Sequence, residues 1–322
     1  MSEPLDTGAA VSWNIVFFGS AEFSLPALKA LHDGPDRVAL VVCPPPAPSG
    51  RGRKLSPSPV AVLAEKLGLK VLEAKNFKNT DTIEAIRAAE PDLLAVAAYG
   101  GFLPQALLEL CPFPPLNIHP SLLPRHRGAA PVNWCLINCD EEVGVSIIFL
   151  EKEMDAGPIL SQRAFPVQGC ECAGNLEKRL SEIGAEMLLN VIARLKTGEN
   201  MAVIQNSERA TVNPLLCKND GLVDWNLPAA KLAGLINGVD PWPGARTPLD
   251  GKSLKIFQAA ALPPREGHEP QPGLVLGLDE EARLLVETPD GLVALAELQP
   301  EGKKRMKAAD FLRGYRPERL GQ

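Results

Sequence analysis

The sequence predicts an α/β chain: a mostly parallel sheet covered by helices on both faces, followed by a smaller all-β domain, barrel or sandwich. Three observations predict it. Short apolar runs alternate with helical patterns through the first half, as βαβ units require. One long amphipathic stretch ends that alternation. From about Gly221 the texture changes to short strands at regular spacing, separated by Gly, Pro and Asp turns. A chain of 322 residues is long for one domain and comfortable for two. The division read here is a first domain over 1–200, a linker over 201–219 and a second domain over 220–322.

The elements follow in order. "NIVFFG" (14–19) is a buried strand, and "FSLPALKALHD" (23–33) a helix with Pro26 in its first turn, where a missing N–H costs nothing. "RVALVVC" (37–43) is the second strand. A proline-rich run at 44–59 then joins strand to helix and is longer than such loops usually are, which marks it as functional or disordered. "VAVLAEKLG" (60–68) is a helix closed by Gly68, "KVLEA" a short strand, and "TDTIEAIRAAE" (80–90) a helix capped by Thr80. "DLLAVAAYG" (92–100) and "PLNIHP" are strands on either side of a short helical "PQALLEL". "AAPVNWCLINC" is a helix, and "GVSIIFL" (144–150) and "GPILSQRAFPV" (157–167) are strands. "NLEKRLSEIGAEMLLNVIARLKTG" (175–198) is the long amphipathic helix. "ENMAVIQNSERATVNPLL" has poor periodicity and reads as linker. "KSLKIFQAAAL", "GLVLGLD", "ARLLVETPD" and "GLVALAELQ" are the strands of the second domain.

Composition narrows the function classes. Apolar content of 45% and charged content of 22% describe a globular chain. No apolar run approaches the roughly 20 residues that span a bilayer, and the acidic, Lys- and Arg-free start "MSEPLDTGAAVSWN" reads as neither secretory signal nor transit peptide. Seven cysteines without a CxxC pair read as reduced thiols of a cytoplasmic protein, with no metal expected. The net charge of -6 argues against nucleic acid as a partner. Two basic clusters argue the other way: Arg51, Arg53 and Lys54 lie in a stretch free of acids, and Lys303, Lys304, Arg305 and Lys307 form the second.

Ligands of parallel α/β sheets sit beyond the C-terminal ends of the strands. "FFGSAEF" lies at such an end but lacks the GxGxxG spacing of a dinucleotide site. "PLNIHPSLLPRHRG" lies at another. Asn117, His119 and Ser121 alternate there and so face one side. Alone, that pattern fits a strand end facing a loop. With Asp155 of "EKEMDAGPIL" it also fits a reaction centre: amide and imidazole donors for an oxyanion, and a carboxylate to orient the imidazole and help move a proton. That set suits acyl transfer to nitrogen through a tetrahedral intermediate, and no GxSxG elbow or activated cysteine competes with it. His126, between two arginines, reads as a surface loop residue. The loop 48–59 fits either a solvated basic loop or one that reaches into nucleic acid, with phosphate binding of a small nucleotide a weaker third reading.

"NIVFFGSAEFSLPAL", "SGRGRKLSPSPV", "AAYGGFLP", "NIHPSLLPRHRGAAPVNW", "GVSIIFLEKEMDAGPIL", "DPWPGA" and "LQPEGKKRMKAADFLRG" together resemble the folate-dependent formyltransferases. "GRGRKLSPSPV" with "LQPEGKK" points within them to the methionyl-tRNA formyltransferase family. The resemblance implies a Rossmann-like catalytic domain, an OB-like tRNA-binding barrel, and a monomeric protein. It implies 10-formyltetrahydrofolate as formyl donor and the α-amine of methionyl initiator tRNA as acceptor. By position, Asn117, His119 and Asp155 match the family's catalytic trio, and Ser121, Leu122, Leu123 and Pro124 match its folate-contacting stretch. The loop with Arg51, Arg53 and Lys54 matches the insertion that recognises the acceptor stem, and Lys303, Lys304 and Arg305 lie where the barrel meets tRNA. One departure is "PPP" at 44–46, where relatives often carry a polar "QPD"; it stiffens the entrance of the loop. Other amine acceptors, hydrolysis of the same folate, and tRNA or folate binding without turnover are the competing readings.

Overall fold

Strands that are apolar on both faces dominate the first half of the chain, and they assemble as one seven-stranded sheet. The computed structural model describes residues 12–49, 54–199 and 202–321. In chain order the elements are β1 (Asn14–Gly19), α1 (Leu25–Asp33), β2 (Arg37–Cys43), β3 (Ala47–Ser49), β4 (Lys54–Ser56), α2 (Pro59–Lys66), β5 (Val71–Glu73), α3 (Thr80–Arg87), β6 (Leu93–Ala97), α4 (Gln105–Leu108), β7 (Leu116–His119), β8 (Arg127–Gly128), α5 (Pro131–Ile137), β9 (Glu142–Phe149), β10 (Ile159–Pro166) and α6 (Ala173–Lys196). The later elements are β11 (Val212–Asn213), α7 (Ala229–Gly238), β12 (Ala245–Leu249), β13 (Lys252–Leu262), β14 (Val275–Leu278), β15 (Leu284–Thr288), β16 (Gly291–Pro300), β17 (Met306–Lys307) and α8 (Ala308–Gly314).

The large sheet has the order β10-β9-β7-β6-β1-β2-β5. β7, β6, β1, β2 and β5 run parallel, and β9 pairs antiparallel with β7. β1, β6 and nearly all of β2 are buried along their length, which is why they read as unbroken apolar runs rather than alternating ones. The second domain, read as strands alone, also contains α7 and α8, and two smaller differences from the sequence reading are local to the first half. Asn79, not Thr80, caps α3, because its side-chain oxygen accepts from the Asp81 N–H. Within the proline-rich run, β3 and β4 pair antiparallel.

Contacts divide the chain into two units. The first comprises 1–124, 145–163 and 180–208; the second comprises 125–144, 164–179 and 209–322. The second unit therefore takes in α5 from the middle of the sequence. Two glycines of α7 explain the attachment. A Cβ on Gly234 would lie 2.5 Å from the Leu136 carbonyl oxygen, and one on Gly238 2.9 Å from that of Asn133, so only glycine lets α7 lie this close to α5. The rest of this unit is an antiparallel sheet, β12-β13-β16-β15-β14 with β17 on β16. Its core is built on Leu254, Ile256, Val286, Val293 and Leu295 from the strands, with Leu232 and Ile236 of α7 and Phe311 of α8. No described helix is long and apolar enough to cross a membrane.

Candidate active site

β7 sits in the interior of the large sheet, between β6 and β9, so its side chains face two environments. Ile118 faces α6. A Cβ on Gly184 of that helix would come within 2.6 Å of Ile118 Cγ2, so the glycine is what lets the helix settle against the strand. Asn117 and His119 must then point from the opposite face. Asn117 is half-buried, and His119 is buried at 4% exposure.

Asp155 reaches the same place from the loop between β9 and β10. Its carboxylate Oδ2 lies 3.6 Å from His119 Nδ1, with both side chains largely shielded from solvent. That distance is slightly long for a hydrogen bond. Asp155 adopts a left-handed backbone conformation (φ +52°), which aspartate tolerates better than most residues. Two residues on, Gly157 runs against β9: a Cβ there would sit 1.9 Å from the Phe149 carbonyl oxygen. The "DAG" sequence thus answers two backbone demands, a left-handed turn and a close strand contact.

The turn after β7 is held from β9 as well. Ser146 stands opposite His119 in the β7–β9 ladder. Its hydroxyl donates to the Ser121 carbonyl (2.7 Å) and accepts from the Leu123 N–H (3.2 Å) and from Gln162 Nε2 (2.8 Å). One donated and two accepted bonds saturate a hydroxyl. Gln162 Nε2 also donates to the Leu123 carbonyl at 2.9 Å. Ser121 and Leu123 are buried, Leu122 and Pro124 are half-buried, and the Leu123–Pro124 bond is cis. Sequence reasoning missed Ser146. Its signal was present: a lone hydroxyl inside the apolar run "GVSIIFL" needs a buried partner.

His126 is not the surface residue expected from "PRHRG". It is 3% exposed. Its Nε2 lies 2.6 Å from Asp140 Oδ2, and its Nδ1 lies 2.8 Å from Asn213 Nδ2. Arg125 donates to the other Asp140 oxygen at 2.6 Å. The flanking arginines suggested solvent, but β8 pairs with β11, and that pairing covers the loop. His126, Cys135 and Asp140 bring three potential ligand atoms within 4.8 Å of one another. Burial, then the Asp140 carboxylate, push the Cys135 thiol far above the ordinary range. The trio reads as a hydrogen-bonded brace.

The basic residues fall in three situations. Arg51 and Arg53 lie outside the described residues, while Lys54 is exposed on β4. Lys303 and Lys304 are exposed on the turn after β16. Arg305 is engaged within its own unit: its guanidinium pairs with Glu297, lies 3.5 Å from Asp240 Oδ2 and stacks 3.9 Å over the Phe257 ring. It braces the turn that presents the two lysines.

Comparison with known proteins agrees with this architecture. Residues 13–192 match the formyl transferase family and residues 216–316 its C-terminal domain family. The chain is 43% identical over 303 residues to the methionyl-tRNA formyltransferase of Desulfotalea psychrophila, covering 94% of this chain and 93% of that one. It is 40% identical over 311 residues to the enzyme of the same name from Geobacter sulfurreducens, covering 96% of each. Among solved structures, an N-formyltransferase from Helicobacter canadensis in complex with folinic acid and dTDP-3-aminofucose shares the fold at a TM-score of 0.65 and 14% identity, over 89% of this chain and 99% of that one. HypX from Aquifex aeolicus in complex with tetrahydrofolic acid does so at 0.60 and 20% identity, over 94% of this chain and 47% of that one. Two matched domains in sequence, and about 40% identity sustained along nearly the full length of its relatives, show that the chain belongs to the methionyl-tRNA formyltransferase family.

Proposed function

We propose that the protein transfers a formyl group from 10-formyltetrahydrofolate to the α-amine of methionyl initiator tRNA. The observation that carries the reading is the 3.6 Å approach of Asp155 to His119 at the C-terminal end of β7, both side chains nearly sealed from water, with Asn117 on the same face of the strand. A low-dielectric site strengthens each polar contact made inside it. The Ser121–Pro124 turn fits a flat heteroaromatic donor: its backbone is clamped by Ser146, and half-buried Leu122 and Pro124 supply apolar surface beside it. The folate supplies an activated formyl group whose leaving atom is the N10 amine.

The geometry supports the following roles. As the acceptor amine adds to the formyl carbon, negative charge grows on the formyl oxygen. The Asn117 amide and an N–H of the His119 imidazole donate to that oxygen. Asp155 orients His119 and assists removal of the amine proton, and the tetrahedral centre then collapses as the carbon–N10 bond breaks and that proton is passed on to N10. Arg51, Arg53, Lys54, Lys303 and Lys304 contact tRNA phosphates and the acceptor end, with Arg305 shaping the turn that carries the last two. A monomer acting in the cytoplasm suits this chemistry.

Formylation of charged initiator tRNA with 10-formyltetrahydrofolate tests the reading directly. Product is expected from the wild type, with turnover falling about 100-fold or more in His119→Ala and Asp155→Asn. Absence of product, or saturable activity on an amino-sugar nucleotide alone, overturns it. Arg51→Ala is expected to raise the tRNA KM and spare kcat.

A further inference from the structure

Gln205 belongs to the segment after α6 that the sequence reads as featureless linker. It is a buried residue, 7% exposed. Its Nε2 donates to the Asp155 carbonyl (2.8 Å) and to the Gly157 carbonyl (2.7 Å). One amide group thus bridges the turn that carries the Asp155 carboxylate.

The local pairing explains how it gets there. Ile159 and Val203 form an antiparallel bridge and exchange both backbone bonds, at 2.8 and 2.9 Å. Two residues forward from Val203 and two back from Ile159 set Gln205 opposite Gly157. Past Val203 the ladder continues through a side chain: the Gln205 amide supplies the donors for the next carbonyls. Gly157 itself cannot carry a Cβ, because Phe149 stands on its other side. The Asp155–Gly157 backbone is therefore set between β9 on one side and Gln205 on the other. This matters because the His119–Asp155 contact is already long at 3.6 Å, and its productive form requires Asp155 not to drift away.

We infer that Gln205 is a positioning residue for the reaction, holding the Asp155 turn so that the carboxylate stays on His119. The inference rests on the reading of Asp155 given above. Gln205→Met keeps the length and volume of the side chain and removes its donors; Gln205→Asn keeps the amide but draws it back by one methylene. Both are made in the full-length protein, alone and combined with Asp155→Ala, and assayed for tRNA formylation by steady-state and single-turnover kinetics. Displacement of a catalytic group by about 1 Å costs on the order of 100-fold. The expected result is a kcat lower by about 10- to 100-fold in both variants, with the KM values for folate and tRNA moving less than about threefold. Added to Asp155→Ala, neither substitution should lower the rate further, since residues acting through one another are non-additive. An unchanged kcat in both variants, or losses that multiply with that of Asp155→Ala, overturns the role of Gln205. An Asp155→Ala protein with normal kcat overturns the reading of Asp155 instead, and the two failures are told apart. If Gln205→Met does not fold, Gln205→Asn carries the same comparison.

Discussion

Replacing Ser146 with alanine removes a single oxygen from a residue that has no solvent exposure. The consequence can be worked from its three bonds. Gln162 is exposed and re-pairs with water, so its share is small. The Ser121 carbonyl and the Leu123 N–H belong to buried residues and lose the partner that satisfied them. A buried polar group left unpaired costs about 1–3 kcal/mol, so the pair together costs about 2–6 kcal/mol. For a cooperative unit of this size that corresponds to a Tm lower by roughly 4–24 °C. Ser146 sits behind the Ser121–Pro124 turn and across the ladder from His119, so the functional effect should fall on the turn. The KM for 10-formyltetrahydrofolate should rise about three- to tenfold, while the KM for tRNA stays near its original value, because the groups proposed for tRNA lie elsewhere. Ser146→Thr retains the hydroxyl and should recover most of both quantities. Differential scanning calorimetry and initial-rate kinetics at saturating tRNA read the two effects. A Ser146→Ala protein that melts within about 1 °C of the parent with an unchanged folate KM would refute the assignment of this hydroxyl as the clamp of the turn.

Other substitutions follow from the same geometry. Gly157→Ala places a methyl group 1.9 Å from the Phe149 carbonyl oxygen, so the Asp155 turn must move; kcat should drop at least about 100-fold, and a variant of normal kcat would show that the turn has slack. Lys303→Ala and Lys304→Ala should each raise the tRNA KM and flatten its salt dependence by about one unit of slope for each phosphate no longer neutralised. Arg305→Ala should instead lower the Tm, because it leaves the buried Asp240 carboxylate without its cation, and a pure tRNA-affinity effect would contradict its place in the structure. Among the cysteines, exposed Cys170 and Cys217 should react first with a thiol reagent at pH 8. Cys111, pushed up to about 11 by burial, and Cys135 should stay unmodified until unfolding, as peptide mass mapping would show.

Different parts of the molecule were legible in the sequence to different degrees, for physical reasons. β1, β2 and β6 could be read because strands buried on both faces are continuous apolar runs. The facing of Asn117 and His119 could be read because side chains alternate along any strand. Gln205 could not, and the lone Ser146 hydroxyl signalled only that it needed a buried partner, not which one. Each owes its place to strand pairing between segments distant in the chain, and single-chain periodicity carries no record of which segments pair. His126 misled because its neighbours are charged, and only the strand that pairs over its loop decides whether that loop meets water.

The order of the main helices and strands through α6, the change to a strand-rich texture after it and the polar face of β7 were thus set by local chemistry alone, whereas α7 and α8 escaped that reading. Tertiary structure decided the strand order that puts β9 beside β7, and the attachment of α5 to the second unit. It also decided the 3.6 Å approach of Asp155 to His119. The physical reason is range. Periodicity and capping act over a few residues and are written in the sequence where they act. A pair such as His119 and Asp155 is brought together by ladder register and by the glycines that permit close backbone contact, and those act only once the sheet has formed.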